Sequence, residues 1–406
     1  MKLTTLCHLL GLIAAPLTLA AALVVNDQVP SELVVPNQYI VAYKADAPPS
    51  RRKDHENEVD GRAKKGNMLG LRHRIDMPGL QGYIIQIPIS EVAALSECDL
   101  IDYIEKDTIV TTAAVAADPT LSRRSMVRQY NSPWGLARIS HREKGQTNYN
   151  YDSSAGNGVR VYVLDSGIRI KHEEFGGRAK WGPNLVSDSP DTDETGHGTH
   201  VAGIIAGKTY GVAKRATVVS VKILDKNGTS SVSRALRGIN WVIDDAKRRG
   251  VEKKAVINMS IAGERSSSFN AGVKAATDAG ITVVAAAGNN GTDATDFSPA
   301  SAASAITVGA IDEQDQRASF SNWGTSVDIF APGVLTLSAS SSSNSKSEYM
   351  SGTSMATPHV AGLAAYFISK EKLRGVDVAD RIRSVANKGV GDREGSPDRI
   401  AYNGSG

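Results

Sequence analysis

The chain has almost no cysteine: Cys7 and Cys98 are the only two among its 406 residues. Everything that follows Cys98 is free of cysteine. No disulfide bond can form within that part of the chain, so a disulfide-stabilised fold is excluded there.

The chain also lacks an excess of charge of either sign. Its 46 lysines and arginines nearly balance its 43 aspartates and glutamates, which leaves a formal net charge of +3. So small a charge gives no electrostatic reason to expect nucleic acid or an anionic membrane surface as a partner. We expect neither partner, and we predict a monomer.

Long apolar runs are absent except for one near the N-terminus, from Leu3 to Leu23. This run ends in the small residues Ala20–Ala22, as cleavable secretory signal peptides do. The sequence therefore predicts a signal peptide over residues 1–22 and a secreted, extracellular protein. A membrane anchor is the alternative, but His8 and Pro16 inside the run disfavour a stable membrane span.

The length of the chain suggests more than one domain, and we divide it into residues 23–124 and residues 125–406. In the first region, short strand patterns alternate with polar helical patterns, which predicts a small α+β domain. The predicted elements are strands over Gln38–Lys44, Gly82–Ile87 and Ile101–Glu105, and helices over Asp54–Lys65 and Ser90–Glu97.

Residues 111–130 are expected to form an exposed linker, because they hold an alanine-rich piece, a proline and the pair Arg123-Arg124. Proteolysis concentrates in such segments. We predict a cut that makes the shorter, mature chain start near Ser125. Three alternatives stay open: the protein cuts itself there, a protease specific for paired basic residues cuts it, or the pair is ordinary linker charge.

The second region alternates short β-branched runs with helical patterns. Strands are predicted near Val159, Thr217, Ala255, Ile281, Ala305 and Val327, and helices near Gly196, Val232, Ser267, Thr353 and Val376. Such alternation is typical of an α/β fold with a mostly parallel, doubly wound sheet and helices on both faces. Ligands of these sheets bind beyond the carboxyl ends of the strands.

One serine, Ser354, stands among small residues at the start of an apolar helical pattern, within the run Gly352–Gly362. Small neighbours let a substrate backbone approach, and a helix start offers free N–H groups and the positive end of the helix dipole. A serine there can be a simple N-cap, and its hydroxyl becomes a nucleophile only beside a base. Ser354 is therefore a candidate nucleophile, provided that the chain supplies the base.

Three further residues fit the roles that such a serine requires. His197 opens a second helix of small residues, and its imidazole titrates near neutral pH as a general base must. Asp165 ends one apolar strand pattern and Asn289 follows another, so both fall at the carboxyl edge of the predicted sheet. A carboxylate can orient the imidazole there, and an amide can donate to a developing oxyanion.

The four residues lie in motifs that occur in a recognisable order: Asp165-Ser-Gly, Gly196-His-Gly-Thr-His-Val-Ala-Gly, Ala286-Ala-Gly-Asn and Gly352-Thr-Ser-Met-Ala-Thr-Pro-His-Val-Ala-Gly. With these motifs the chain resembles the subtilisin-like serine proteases. Runs such as Pro133-Trp-Gly-Leu resemble the fungal proteinase K and oryzin branch. The likeness covers the chain from Pro133 to its C-terminus, and a weaker likeness to the family's inhibitory pro-domain covers residues 38–107.

This resemblance implies a secreted endopeptidase of broad specificity, with an apolar or aromatic preference before the cut. It implies that Ser354 attacks the peptide carbonyl, that His197 takes its proton, and that Asp165 orients the imidazole. Asn289 and the Ser354 N–H would hold the oxyanion. Residues 23–124 would fold the protease as a ferredoxin-like pro-domain and then inhibit it until they are removed. Its partners would be protein substrates and that pro-domain, and no organic cofactor is expected.

The resemblance also implies two backbone edges that pair with an extended substrate. The predicted substrate-binding residues are Gly228, Thr229, Ser230, Ser260, Ile261, Ala262, Gly263, Ala286 and Gly288. Ala262 stands where the family normally has glycine, and its methyl group predicts a narrower primary specificity pocket.

Calcium is the metal that the resemblance suggests, with Asp328 at the matching position. A plain surface aspartate is the alternative, because calcium takes roughly six to eight oxygen ligands and one carboxylate is a thin signal. Zinc is not expected, since His197 and His200 have the spacing of a metal pair but no metalloprotease pattern supplies a third ligand. We expect His200 and His359 to be structural residues within their helices.

Four Asn-x-Ser/Thr motifs mark possible glycan acceptors, at Asn227, Asn258, Asn290 and Asn403. Asn258 falls in a predicted buried strand, and Asn290 adjoins Asn289. Asn227 and Asn403 are therefore the predicted glycosylation sites.

Three other functions compete with proteolysis. A binding protein that keeps this fold without activity usually shows a damaged catalytic residue, and none of the four is damaged. A dinucleotide oxidoreductase needs a Gly-x-Gly-x-x-Gly run, which the glycines around His197 do not form. A lipase-like esterase needs a glycine two residues after the serine, where this chain has Ala356.

Overall fold

The structure, a computed structural model, describes residues 22–114 and 132–405. The first range is called the N-terminal domain here, and the second is called the C-terminal domain. The predicted signal peptide, apart from Ala22, lies outside the described residues, as does the predicted start of the mature chain near Ser125.

An antiparallel sheet with two helices on one face makes up the N-terminal domain. Its strands are β1 (Leu23–Val24), β2 (Val34–Tyr43), β3 (Gly70–Met77), β4 (Leu80–Gln86) and β5 (Ile101–Thr112), and its helices are α1 (Pro49–Lys65) and α2 (Val92–Ser96). The strand order is β5-β2-β4-β3, with β1 parallel beside β5. The chain order β-α-β-β-α-β from β2 to β5 is that of a ferredoxin-like domain.

Strand β2 illustrates how this sheet forms two cores, because successive side chains point to opposite faces. Tyr39, Val41 and Tyr43 pack with α1 and α2. Ile40 and Ala42 point the other way, into a core shared with the C-terminal domain. The sheet is therefore covered on one face by its own helices and on the other by its neighbour.

The predicted strands and helices of this domain are present, with three differences, the first being the short strand β1, which was not predicted. Strand β3 was not predicted, because most of its side chains are charged or exposed and only a few, such as Ile75 and Met77, are buried. Strand β5 runs to Thr112, well beyond the predicted end at Glu105. The segment expected to be linker from Thr111 onwards thus begins as strand, since β5 finds partners in the C-terminal domain.

The C-terminal domain alternates strands and helices along the chain. Its strands are β6 (Arg160–Asp165), β7 (Ala179–Asn184), β8 (Thr217–Lys222), β9 (Thr229–Ser231), β10 (Ala255–Met259), β11 (Ile261–Glu264), β12 (Thr282–Ala286), β13 (Phe297–Ser298), β14 (Ile306–Ile311), β15 (Ile329–Pro332), β16 (Thr336–Ala339) and β17 (Ser347–Met350). Its helices are α3 (Trp134–Arg138), α4 (His197–Ala206), α5 (Val232–Arg249), α6 (Ser267–Asp278), α7 (Thr353–Glu371) and α8 (Val376–Val385).

Seven of these strands form one parallel sheet in the order β15-β14-β12-β10-β6-β8-β7. Helices α4 and α7 cover one face of this sheet, and α5 and α6 cover the other. The central strands β10, β12 and β14 are buried at every residue, as expected for a parallel sheet with helices on both faces. The predicted α/β fold class is confirmed. Within the two described ranges, no helix is long and apolar enough to span a membrane.

Helix α5 forms because its apolar residues fall on one stripe. Val232, Leu236, Ile239 and Ile243 recur at intervals of three or four and are buried against the sheet. The helix ends at Gly250, whose φ of 64° is in the left-handed region that glycine tolerates.

Strand β5 joins the two domains by two kinds of contact. Its carboxylates bind the starts of two C-terminal helices: Glu105 accepts from the Ser268 amide at the start of α6 (2.8 Å), and Asp107 accepts from the Ser233 amide at the start of α5 (2.9 Å). Asp107 also accepts from the Ser233 hydroxyl at 2.6 Å. Both carboxylates are fully buried. A negative charge is favourable at a helix N-terminus, so each carboxylate stabilises a helix of the other domain.

Asp107→Ala should destabilise the full chain, because it leaves the buried Ser233 amide and hydroxyl without that partner. The expected loss is about 1–3 kcal/mol in the free energy of unfolding. Urea denaturation of the variant and the parent measures it. Asp102→Ala is the matched control: Asp102 lies on the same strand but is exposed, so its loss should cost less than about 0.5 kcal/mol. Equal effects of the two substitutions would contradict the assigned role of Asp107.

Candidate active site

Asp165 and His197 form a buried pair at the carboxyl edge of the parallel sheet. Asp165 is the last residue of β6, and His197 is the first residue of α4. The Nδ1 atom of His197 donates to Asp165 Oδ1 at 2.8 Å, and the Ser166 amide donates to the same oxygen at 2.7 Å. Asp165 is completely buried. The carboxylate therefore fixes which imidazole nitrogen carries the proton, and it leaves Nε2 as the acceptor.

Ser354 is the second residue of α7, and its two donors have different partners. The hydroxyl donates to the Ser260 carbonyl at 3.0 Å, and the backbone amide donates to the Ala113 carbonyl of the N-terminal domain at 2.8 Å. The Nε2 atom of His197 is buried and has no hydrogen-bond partner. The predicted hydrogen bond between the Ser354 hydroxyl and the His197 imidazole is thus not formed in this structure.

Asn289 presents an amide nitrogen that is buried and has no partner. Its Oδ1 atom accepts from both the amide and the hydroxyl of Thr353, each at 2.9 Å. These two bonds turn Oδ1 toward α7 and leave Nδ2, which is buried without a partner, on the other side. A donor held in this way can donate a hydrogen bond to a developing negative charge without rearrangement.

Gly352 marks the point at which these groups converge. A Cβ atom built on Gly352 would lie 2.6 Å from the Ala113 oxygen, 2.8 Å from Ala114 Cα and 3.3 Å from Asn289 Nδ2. Its φ of 143° is also one that residues with a side chain rarely adopt. Glycine is therefore required at this position for two reasons, its backbone conformation and the lack of a side chain. The lack of a side chain leaves room for the Ala113 carbonyl.

The end of strand β5 lies between two edges of the C-terminal domain. On one side it pairs antiparallel with β9, with Val110 opposite Ser230 and Thr111 opposite Thr229. On the other side it pairs antiparallel with β11, with Thr111 opposite Ala262. Beyond the ladders, the Thr112 amide donates to the Gly228 carbonyl and the Ala113 amide donates to the Ser260 carbonyl, both at 3.2 Å.

Seven of the nine predicted substrate-binding residues contact this strand. Those that pair with it or accept from it are Gly228, Thr229, Ser230, Ser260, Ile261, Ala262 and Gly263. The other two follow from the end of β12: Ala286 is its last residue, and Gly288 lies against Ala262, whose Cβ is 3.7 Å from a Cβ built on Gly288.

Two residues that position these groups were not predicted. Asp193 accepts from the Thr199 amide (2.8 Å) in the first turn of α4 and from the Ser166 hydroxyl (2.7 Å), and so joins the segments that carry His197 and Asp165. Thr353 orients Asn289. An aspartate shortly before a helix start is an N-terminal capping signal, which could have identified Asp193. Nothing in the sequence indicates the role of Thr353.

The other two histidines near the site are held neutral. Burial lowers the pKa of His200 to about 3 and that of His359 to about 4. His359 Nδ1 donates to the Met355 carbonyl within its own helix at 2.8 Å, as predicted. His200 Nε2 instead bonds outside its helix, to the Thr336 and Glu348 carbonyls at 3.1 Å, because α4 packs against β16. His200 is thus a structural residue that joins its helix to β16 and β17.

Comparison with known proteins agrees with this arrangement. Residues 156–400 match the Subtilase family. The chain is 49% identical over 339 residues to Subtilisin-like protease 2 of Pseudogymnoascus destructans, covering 83% of this chain and 81% of that protein. It is 43% identical over 391 residues to a Cuticle-degrading serine protease of Arthrobotrys oligospora, covering 91% of each chain.

The chain belongs to the subtilase family. A solved structure of a cold adapted subtilisin-like serine proteinase agrees, with a TM-score of 0.63 and 40% sequence identity. The match covers 67% of this subtilase and 98% of that chain. The protein is therefore a subtilisin-like serine protease, a hydrolase whose substrates are proteins.

The electrostatics of this subtilase favour a protonated His197. Burial lowers the pKa of His197, but the negative charge of Asp165 and its hydrogen bond raise it by more, and Asp193 adds to the rise. The pKa of His197 is therefore above its ordinary value of 6.5. Neutral His197, which is the form that can accept a proton, is the major form only above that raised pKa.

The surroundings of Asp328 do not fit a calcium site. Its Oδ1 atom accepts from the Arg383 guanidinium at 3.0 Å, and its Oδ2 atom accepts from the Thr307 amide at 2.9 Å. Both oxygens are thus used, and the guanidinium charge repels a cation. In the described part of the chain, no group of three or more His, Cys, Asp or Glu side chains is arranged to hold a metal ion. Asp328 serves an ion pair instead.

The two predicted glycan acceptors differ in accessibility. Asn227 is exposed, which suits a glycan. Asn403 is fully buried, and its amide nitrogen donates to the Asn150 carbonyl at 2.7 Å. Asn403 is therefore not available for glycosylation in the folded protein, because the C-terminal segment packs into the domain. Glycosylation of Asn227 stays a prediction.

The His197 imidazole should titrate above pH 6.5, because its raised pKa depends on Asp165. Proton NMR of the imidazole signals across pH measures this, with His197→Gln used to assign the signal. In Asp165→Asn the pKa should fall below 6.5, since burial then acts without the opposing charge. His200 is the internal control and should stay neutral from about pH 5 to 8. A parent His197 that titrates at or below pH 6.5 would contradict the pairing.

Proposed function

We propose that this subtilase is a secreted serine endopeptidase that uses Ser354, His197 and Asp165 as its triad and Asn289 as an oxyanion donor. We further propose that its N-terminal domain is a pro-domain, which is both the first substrate and then the inhibitor. The observation that carries the proposal is the hydrogen bond from the Ser354 amide to the Ala113 carbonyl, because it sets a peptide bond of the chain itself at the nucleophile.

In the first step, Ser354 Oγ attacks the carbonyl carbon of Ala113. The hydroxyl leaves its bond to the Ser260 carbonyl and turns to His197 Nε2, which takes its proton. The free Nε2 atom supports this step, since nothing else competes for it. Hydrogen bonds of catalytic groups in precursor states are often incomplete and form as the reaction begins.

Negative charge then develops on the Ala113 oxygen. The Ser354 amide already donates to that oxygen, and the unpartnered Nδ2 of Asn289 supplies a second donor. Because both donors are held in place before the reaction, stabilising the oxyanion needs no reorganisation.

The bond between Ala113 and the Ala114 nitrogen breaks next, and His197 returns the proton to that nitrogen. Water then enters, gives its proton to His197 and attacks the acyl carbon. As the acyl bond to Ser354 Oγ breaks, His197 returns that proton to Oγ, which restores the Ser354 hydroxyl and releases Ala113 as a carboxylic acid that ionises to the carboxylate. Asp165 stabilises the imidazolium throughout without taking the proton itself.

After the cut, the N-terminal domain is expected to remain bound as an inhibitor. Its strand still pairs with β9 and β11, its buried Val110 anchors it, and Asp107 still binds the start of α5. Pairing an extended strand on both sides is also how the cleft would take other substrates, which favours unfolded proteins over folded ones. Because backbone groups make most of these contacts, specificity should be broad at the strand positions outside the primary pocket.

The first bond cut is thus Ala113–Ala114, and it differs from the predicted start of the mature chain near Ser125. The two are compatible, because a second cut after Arg124 would remove residues 114–124. Secretion rests on the signal-peptide pattern over residues 1–22, which suits a protease that must stay inactive until it has been exported.

The test is to express the full chain as the parent and as Ser354→Ala, and to follow casein hydrolysis and the size of the products. The parent should be cut and should become active once its N-terminal domain is removed, whereas Ser354→Ala should stay intact and inactive. Asn289→Ala should be cut slowly, with kcat about a hundred- to a thousand-fold lower, a range that was measured on a subtilisin. Ser345→Ala, an exposed serine outside the site, is the control. Casein hydrolysis by Ser354→Ala at the parent rate would refute the proposal.

A further inference from the structure

We propose that the primary pocket of this protease selects small side chains before the cut, alanine above all, and disfavours aromatic and arginine side chains. The inference rests on the proposed function, since it concerns the substrate of the same site. It also departs from the apolar or aromatic preference that the family resemblance predicts.

One wall of the pocket is formed by strand β11 and is narrowed by Ala262. Successive side chains of a strand point to opposite faces. Ile261 is buried in the core beneath the cleft, so Ala262 projects to the other face. Its methyl group lies 3.7 Å from a Cβ built on Gly288, so it takes up part of the space between β11 and Gly288. A glycine at residue 262 would leave that space open.

The opposite wall cannot move back to compensate. A Cβ built on Gly288 would lie only 2.4 Å from Asn322 Nδ2, so Asn322 packs directly against the Gly288 backbone. Asn322 is fully buried and is held by three bonds: Nδ2 donates to the Ala287 carbonyl, and Oδ1 accepts from the amides of Asn290 and Thr292. With one wall fixed, the methyl of Ala262 decides the width of the pocket.

The residue that occupies the cleft in this structure has the predicted size. Ala113 lies between Ser260, whose carbonyl accepts a hydrogen bond from the Ala113 amide, and Gly352. It is 4% exposed. A single methyl group thus suffices to bury this residue. Thr111, two residues before Ala113, is exposed. The selection for a small side chain therefore acts on Ala113 and not on every residue of the strand.

The same pocket separates the two cuts in the linker. An arginine side chain is far larger than the methyl group of Ala113. The protease should therefore cut its own chain at Ala113–Ala114, whereas a cut after Arg124 requires a different protease. On this inference, self-cleavage after Arg124 is disfavoured among the alternatives that the sequence leaves open.

The test compares three peptide p-nitroanilides, Val-Thr-Thr-Ala, Val-Thr-Thr-Phe and Val-Thr-Thr-Arg, whose first three residues copy Val110–Thr112. The enzyme is the full chain after self-cleavage, separated from its released N-terminal domain. The parent should show a kcat/KM for the alanine peptide about ten-fold or more above that for the other two. Ala262→Gly should raise kcat/KM for the phenylalanine peptide about ten-fold or more and leave the alanine peptide within about two-fold. Ala262→Val should lower kcat/KM for the phenylalanine peptide below that of the parent.

Ala303→Gly is the matched control, because it removes the same methyl from an exposed turn and should leave the ratio of the two rates unchanged. A parent that prefers phenylalanine, or a ratio that neither Ala262 variant alters, would overturn the pocket inference while leaving the proposed function intact. A parent inactive on all three peptides and on casein would overturn the proposed function, and the inference with it.

Discussion

The hydrogen bond from the Ser354 amide to the Ala113 carbonyl is the contact on which the rest of this structure depends. It exists because strand β5 of the N-terminal domain pairs on both sides, with β9 and with β11, and delivers the next carbonyl to the start of α7. Gly352 has no side chain to block that carbonyl. If the register of β5 shifted by one residue, Thr112 rather than Ala113 would face the nucleophile, and its side chain would face the pocket.

The parallel sheet explains why residues far apart in the sequence meet at this point. Asp165 ends one strand, and Asn289 follows another after a short turn, so both reach the same edge of the sheet. His197 and Ser354 stand at the starts of the two helices that pack together on one face. The N-terminal domain covers the opposite face through α5 and α6, where Glu105 and Asp107 bind the helix starts. The domain that occupies the cleft therefore also stabilises the helices beside it.

Much of this could be predicted from the sequence, because the chemistry lies in short runs. Asp165, His197, Asn289 and Ser354 stand in motifs whose neighbours are small, and the β-branched runs indicate the buried strands of the sheet. Relations between distant segments could not be predicted. The register of β5 between β9 and β11 depends on backbone groups that leave no pattern, and the same is true of the pair between Asp328 and Arg383. The burial of Asn403 likewise follows from packing of the chain end. Strand β3 was not predicted, because its charged residues obscure the alternating pattern of its few buried residues.

The most direct test of the central claim is the mass of the fragments that the pure full-length chain releases when it refolds in the absence of any other protease. The account predicts an N-terminal fragment that ends at Ala113 and a remainder that begins at Ala114. A first fragment that ends at any other residue, such as Arg124, would contradict it.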